Sequence, residues 1–233
     1  ETIMKINKLV AAISLIAASH SVFAAGGISL GATRVVYNAN NKEASLTVNN
    51  KNTEHYFLVQ SWVDDKNGNK KVPFAITPPL FRLNAKNENM LRIVKTAGEV
   101  PSDRESVYWV NVKSIPPMPA ENGPQNVLQL AITTRIKMFY RPSGLVGKAE
   151  DAPAQLQWVH QGNELIVKNP SAYSVSLGEV KIAGKDIPGV NLVLPKDEAH
   201  YTLPAGSGGI GNVTYRAITD FGGLTNPITS EIH

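Results

Sequence analysis

Five histidines, no cysteine and a scatter of carboxylates are what this chain offers for catalysis or metal binding. The histidines fall at positions 20, 55, 160, 200 and 233, none at metal-ligand spacing from another histidine or a carboxylate cluster. Zinc chemistry therefore has little support, and thiol catalysis is excluded by composition. Asp64-Asp65 could be imagined as an acid pair, but neighbours on a turn point apart and read as solvated turn residues. The glycine-rich stretch from Gly206 to Gly211 leads into a strand pattern rather than a helix, the wrong setting for cradling phosphate. No active site, metal or cofactor is expected, and the chemistry left to the chain is binding.

The elements that would position a binding site lie behind an expected leader. Lys5 and Lys8 precede an apolar run from Leu9 to Ala18, and Val22-Phe23-Ala24 places small residues where a signal peptidase cuts. Residues 1–24, with 1–3 as an upstream extension, read as a secretory signal peptide, and Ala25 as the mature start. The apolar run is shorter than the roughly 20 residues a membrane helix needs, so a protein that is not membrane-embedded is expected. The formal net charge of +4 is only mildly basic, and Lys and Arg are spread without runs, which argues against a nucleic-acid partner. An exported chain without cysteine must stand on its hydrophobic core alone.

From residue 25 onward, short segments of alternating apolar and polar residues recur between Gly, Pro, Asn and Asp clusters. This is the pattern of an all-β sandwich. Segments 44–48, 56–63, 90–94, 107–113 and 127–133 form a first group, and 154–159, 164–168, 174–177 and 212–218 a second. Asn67-Gly68 predicts a tight hairpin connection, and Pro78-Pro79 a rigid bend that can carry a cis bond. The stretch from Arg141 to Gly144 reads as a strand end and linker, placing one domain at 25–145 and another at 146–233.

Four stretches carry a resemblance: Gly31 to Tyr37; Ile76 to Leu83; Asp103 to Val112 with Ile115-Pro116-Pro117; and Asn126 to Pro142. With the turn Asp220-Phe221-Gly222-Gly223, their order and spacing resemble the periplasmic pilus (fimbrial) assembly chaperones across nearly the whole mature chain. The resemblance implies two immunoglobulin-like β-sandwich domains set at an angle around a cleft. It also implies a periplasmic, non-enzymatic protein that binds, folds and caps fimbrial (pilin) subunits by donor-strand complementation and passes them to an outer-membrane usher. The usher is expected on the exposed surface of the first domain.

Carried over residue by residue, the resemblance makes Arg34 and Lys137 the clamp for the subunit's C-terminal carboxylate. Leu128, Leu130 and Ile132 become the donor-strand row, with side chains facing outward, and Glu105, Arg141 and Asp220 an interdomain charge network. Taken alone, the two cations read as ordinary strand charges, the aliphatic row as a core face, and the three charges as surface ions worth about 0–1 kcal/mol per pair. The short connection between Lys113 and Gln125 resembles the short-loop subgroup. An exposed aliphatic row on a pairing-competent strand also predicts transient self-association of the unloaded protein. The alternatives are a structural or adhesive pilus component, which should lack a strand and carry its own donor extension, and an exported carbohydrate-binding or hydrolytic sandwich.

Overall fold

The computed structural model describes residues 27–118, 129–205 and 211–233. The expected leader and Leu128 lie outside the described residues. Nine strands come first: β1 (Ile28–Leu30), β2 (Arg34–Asn38), β3 (Ala44–Asn50), β4 (Phe57–Asp64), β5 (Phe74–Thr77), β6 (Leu80–Leu83), β7 (Glu88–Lys95), β8 (Ser106–Ile115) and β9 (Ile132–Arg141). They build a four-stranded sheet, β1-β3-β7-β5, facing a five-stranded sheet, β2-β9-β8-β4-β6. Alternation places Leu46, Val48, Leu91 and Ile93 on the inner face of one sheet and Val59, Val110, Val112 and Met138 on that of the other, all buried. The immunoglobulin-like, all-β expectation is met.

Two of the chain's crossings between sheets are informative. In the first, β1 pairs with β3, but β2 pairs with β9, and in parallel. Gly31 permits this crossing: its N–H donates to the Thr47 carbonyl at 2.8 Å, and a Cβ there would lie 3.1 Å from Thr47 Cβ. The second, between β4 and β5, corrects the hairpin expectation. Asn67-Gly68 does sit in a tight turn, with Gly68 at φ 81° and Asp65 Oδ1 accepting from the N–H groups of Asn67 and Asn69. The strands it joins are not partners, because β4 pairs with β6 and β8 and β5 with β7. Asp64 is not a solvated turn residue either. It ends β4, is buried, and accepts a hydrogen bond from Arg135 Nη2 at 3.0 Å. The Thr77–Pro78 bond is cis.

Eight further strands follow among the described residues: β10 (Gln157–Gln161), β11 (Glu164–Asn169), β12 (Val175–Ile182), β13 (Lys185–Asp186), β14 (Leu192–Val193), β15 (Asp197–Thr202), β16 (Asn212–Ile218) and β17 (Ile228–Glu231). A three-stranded sheet, β10-β11-β15, packs on a sheet ordered β13-β12-β16-β17 with β14 beside β12. Trp158, Leu165, Val167, Val180, Ile182, Val213 and Tyr215 form the core between them. The strand expected from residue 154 starts later. Residues Ala152–Gln155 form a single 3-10 turn with Pro153 at its start, where proline's fixed φ suits a helical turn and its missing N–H is not needed.

Leu91 is fully buried between the sheets of the first sandwich. Leu91→Ala is expected to lower stability by about 2–5 kcal/mol through lost transfer energy and the cavity left behind, read by urea denaturation.

Candidate functional site

Arg34 and Lys137 stand side by side. The parallel register of β2 and β9 sets their Cα atoms opposite each other, so both side chains leave the same face of the sheet, toward the second sandwich. The Arg34 guanidinium lies 5.5 Å from the centroid of the buried Phe139 ring. Its Nη1 donates to Ser176 Oγ at 3.2 Å and to the Ile218 carbonyl at 3.3 Å, while its buried Nε has no hydrogen-bond partner. Lys137 Nζ donates to Asn191 Oδ1 at 2.9 Å.

Burial lowers the pKa of both cations, Lys137 being pushed down further by Arg34 and Arg34 partly restored by Asp220. Two half-buried like charges whose hydrogen bonds end on neutral acceptors make a site that favours an anion. Arg34 forms part of the wall of a cleft of about 440 Å³ between the sandwiches, shared with Phe139, Arg141, Ile218, Asp220 and Phe221.

Arg141, the last residue of β9, ties the two sandwiches together. Its Nε donates to Glu105 Oε1 at 2.6 Å, and its Nη1 and Nη2 donate to Asp220 at 2.8 and 3.0 Å. Glu105 is buried, and its other oxygen accepts the Ser174 N–H at 2.8 Å. Its own N–H donates to the Ala172 carbonyl. Burial raises the Glu105 carboxyl above its ordinary value, opposed by the Arg141 charge and the Ser174 N–H. Burial alone would lower Arg141, but its bonds to Asp220 and Glu105 outweigh it and hold the guanidinium protonated. Arg141 thus hydrogen-bonds both of the carboxylates named with it from the sequence, Glu105 and Asp220.

Asp220 is presented by a turn in which Gly222 sits at φ 87° and donates to the Thr219 carbonyl. A side chain at 222 would collide with Thr33 Oγ1, so glycine lets the turn seat against the residue next to Arg34. Sequence reasoning missed the outer tie, Lys196 Nζ to Asp103 Oδ2 at 2.7 Å, and also missed Asn191. Neither carries a local signal, since both are contacts across long stretches of chain.

Of the aliphatic row, Leu130 and Ile132 are 65% and 62% exposed. β9 begins at Ile132 rather than near residue 127, with Gln129 to Ala131 outside the ladder. The partner strand explains the difference: Ser114 pairs with Ile132, and beyond Ile115 come Pro116 and Pro117, which have no N–H to donate. By period-two alternation Ile132 shares its side of β9 with the buried Met138 and Tyr140, so the outward-facing expectation needs correction. The side chain is exposed because the strand runs past the end of the core, not because it faces the opposite way. Since β2 meets β9 only from Lys137 to Arg141, the other edge of Ile132 to Ile136 has no ladder partner among the described residues. The histidines form no metal group among the described residues; His200 hydrogen-bonds Glu164 and Glu198, all three exposed.

This arrangement agrees with what the chain is similar to. Residues 27–146 match the family described as pili and flagellar-assembly chaperone, PapD N-terminal domain, and residues 151–229 match the pili assembly chaperone PapD, C-terminal domain. The chain belongs to the pilus-assembly chaperone family. Among related pilus-assembly chaperones, LpfB of Salmonella typhimurium is 48% identical over 210 residues, covering 90% of each chain. A probable fimbrial chaperone LpfB of Escherichia coli O157:H7 is 46% identical over 232 residues, covering 100% of this chain and 99% of that one. A chain from the complex of Salmonella enterica SafA pilin with the SafB chaperone superposes with a TM-score of 0.79 at 38% identity, covering 88% of this chain and 96% of its own. Its relatives make this a fimbrial chaperone rather than a pilus component. The short connection read as a subgroup mark runs through residues 119–128, outside the described residues. No helix among the described residues is long and apolar enough to cross a membrane.

Removing Arg141 leaves Glu105 charged and buried with the Ser174 N–H as its remaining partner. Arg141→Ala is expected to cost about 3 kcal/mol and to broaden the distribution of angles between the sandwiches, read by denaturation and small-angle scattering.

Proposed function

We propose that this chain is a periplasmic chaperone that lends the free edge of β9 to a fimbrial subunit, anchors the subunit's C-terminal carboxylate between Arg34 and Lys137, and hands it to an outer-membrane usher. One observation carries the reading: the unpaired edge from Ile132 to Ile136 runs directly into Lys137, where Arg34 joins from the neighbouring strand. An incoming strand that pairs with this edge has its end delivered to two cations. Each charge-assisted hydrogen bond there contributes roughly 1.5–3 kcal/mol. Ile132, Leu130 and, by the sequence pattern, Leu128 supply apolar side chains at alternate positions, each worth about 1.5–3 kcal/mol when fully buried. A one-residue slip turns every side chain of a strand to the wrong face, so the anchored carboxylate sets register while the row supplies most of the apolar energy.

The chain's family supports the chaperone role, and the pilin complex of its SafB relative supports the subunit as cargo. The expected leader supports the periplasm, and the resemblance supports the usher as the second partner, docking on the exposed face of the first sandwich. Unloaded, the same free edge can pair transiently with a second copy. The work is binding, without a chemical step or a cofactor.

The test is co-expression of the chain with a neighbouring fimbrial subunit and recovery from the periplasm. The wild-type chain is expected to yield a one-to-one complex, whereas Lys137→Ala, folded equally by circular dichroism, yields none. Recovery of normal complexes with the variant would overturn the anchor. A pH dependence follows with a definite sign. Free Lys137 is lowered below the usual lysine range, and a bound carboxylate raises it again. Affinity should thus be full at neutral pH and fall as pH climbs through the lowered value toward the bound one, measured by titrating cargo at increasing pH.

A further inference from the structure

The hydrogen bonds that Arg34 and Lys137 send across the cleft share a property that the anchoring reading does not require. Their acceptors, Ser176 Oγ, the Ile218 carbonyl and Asn191 Oδ1, are all neutral and all belong to the second sandwich. Arg34 and Trp109 flank Lys137 in the sheet row, so the open approach to its ammonium is from the side where Asn191 stands. The backbone of Asn191 is fixed. Its carbonyl accepts the Leu177 N–H at 2.6 Å. What remains free to move is the side-chain amide.

We propose that Asn191 is a positioning residue that occupies Lys137 while the cleft is empty, its amide oxygen standing in for the subunit's carboxylate and being displaced when that carboxylate arrives. The inference rests on the anchoring reading above. The exchange is favourable because a hydrogen bond between two ionised groups is roughly twice as strong as one with a neutral partner. It is also incomplete in its gain, because the bond to Asn191 must be given up. Asn191 therefore keeps the unloaded ammonium in a defined rotamer and tempers the affinity of the loaded state. Displacing it also releases one tie between the sandwiches, while the bonds of Arg141 to Glu105 and Asp220 and of Lys196 to Asp103 stay in place.

The experiment is titration calorimetry with a synthetic peptide copying the C-terminal strand of the subunit that co-purifies with the wild-type chain, as free acid and as C-terminal amide. Asn191→Ala is expected to bind the free acid about 3- to 10-fold more tightly, the weight of one hydrogen bond. Asn191→Asp gives Lys137 a permanent carboxylate within the chain and is expected to bind it at least about tenfold more weakly. Against the amide, Asn191→Ala should change nothing, which separates competition for the ammonium from general loosening of the loop. Unchanged or weaker binding of the free acid by Asn191→Ala would overturn the proposal. If the wild-type chain binds acid and amide alike, or no subunit co-purifies, the anchoring reading itself fails and this inference falls with it.

Discussion

The parallel pairing of β2 with β9, beginning at Arg34 and Lys137, is the constraint on which the rest of the molecule depends. Had β2 run the full length of β9, the edge from Ile132 to Ile136 would be closed and the two cations would sit mid-sheet. The chain avoids this by placing residues 28–30 in the opposite sheet and crossing at Gly31. One backbone switch thus creates the free edge and, at its end, brings in the second cation. Edge and anchor are one feature of the topology, so neither can be repositioned without the other.

Half-burying Arg34 and Lys137 together is electrostatically unfavourable, and the way the second sandwich is held explains how it is sustained. Arg141 at the far end of β9 is paired bidentately with Asp220 and singly with Glu105. The desolvation of three charges is offset because every one of them is hydrogen-bonded. That fixed arrangement presents Ser176 and Ile218 to Arg34 and Asn191 to Lys137. The neutral acceptors satisfy donors without neutralising charge, which leaves Arg34 and Lys137 as two adjacent cations facing the second sandwich.

The sequence makes the alternating segments legible because burial of one sheet face writes a period of two into the residues, as in Ala44, Leu46 and Val48. It marks the Asn67-Gly68 turn, because Gly68 at positive φ is a local requirement. It does not say which strands that turn joins in the ladder, since sheet membership is decided by residues far along the chain. Ala154 and Gln155 fit the start of a strand pattern but belong to the 3-10 turn that Pro153 opens, a misreading that short apolar runs invite. Arg34, Lys137, Glu105, Arg141 and Asp220 were reached through resemblance, because a single charge on a strand has no distinguishing pattern. Asn191, Asp103 and Lys196 were reached by neither route. Their roles come from contacts between the two sandwiches, and nothing in their own neighbourhoods foretells them.

The seat of Gly222 against Thr33 has an evolutionary consequence. At that point a Cβ would meet Thr33 Oγ1 and the positive φ of Gly222 strains any residue with a side chain, so the turn tolerates little change. The Lys196–Asp103 pair, with both side chains exposed, can lengthen, shorten or vanish without burying or uncovering a charge. Changes in the opening between the two sandwiches are therefore more easily accommodated at this exposed pair than at the turn of Gly222.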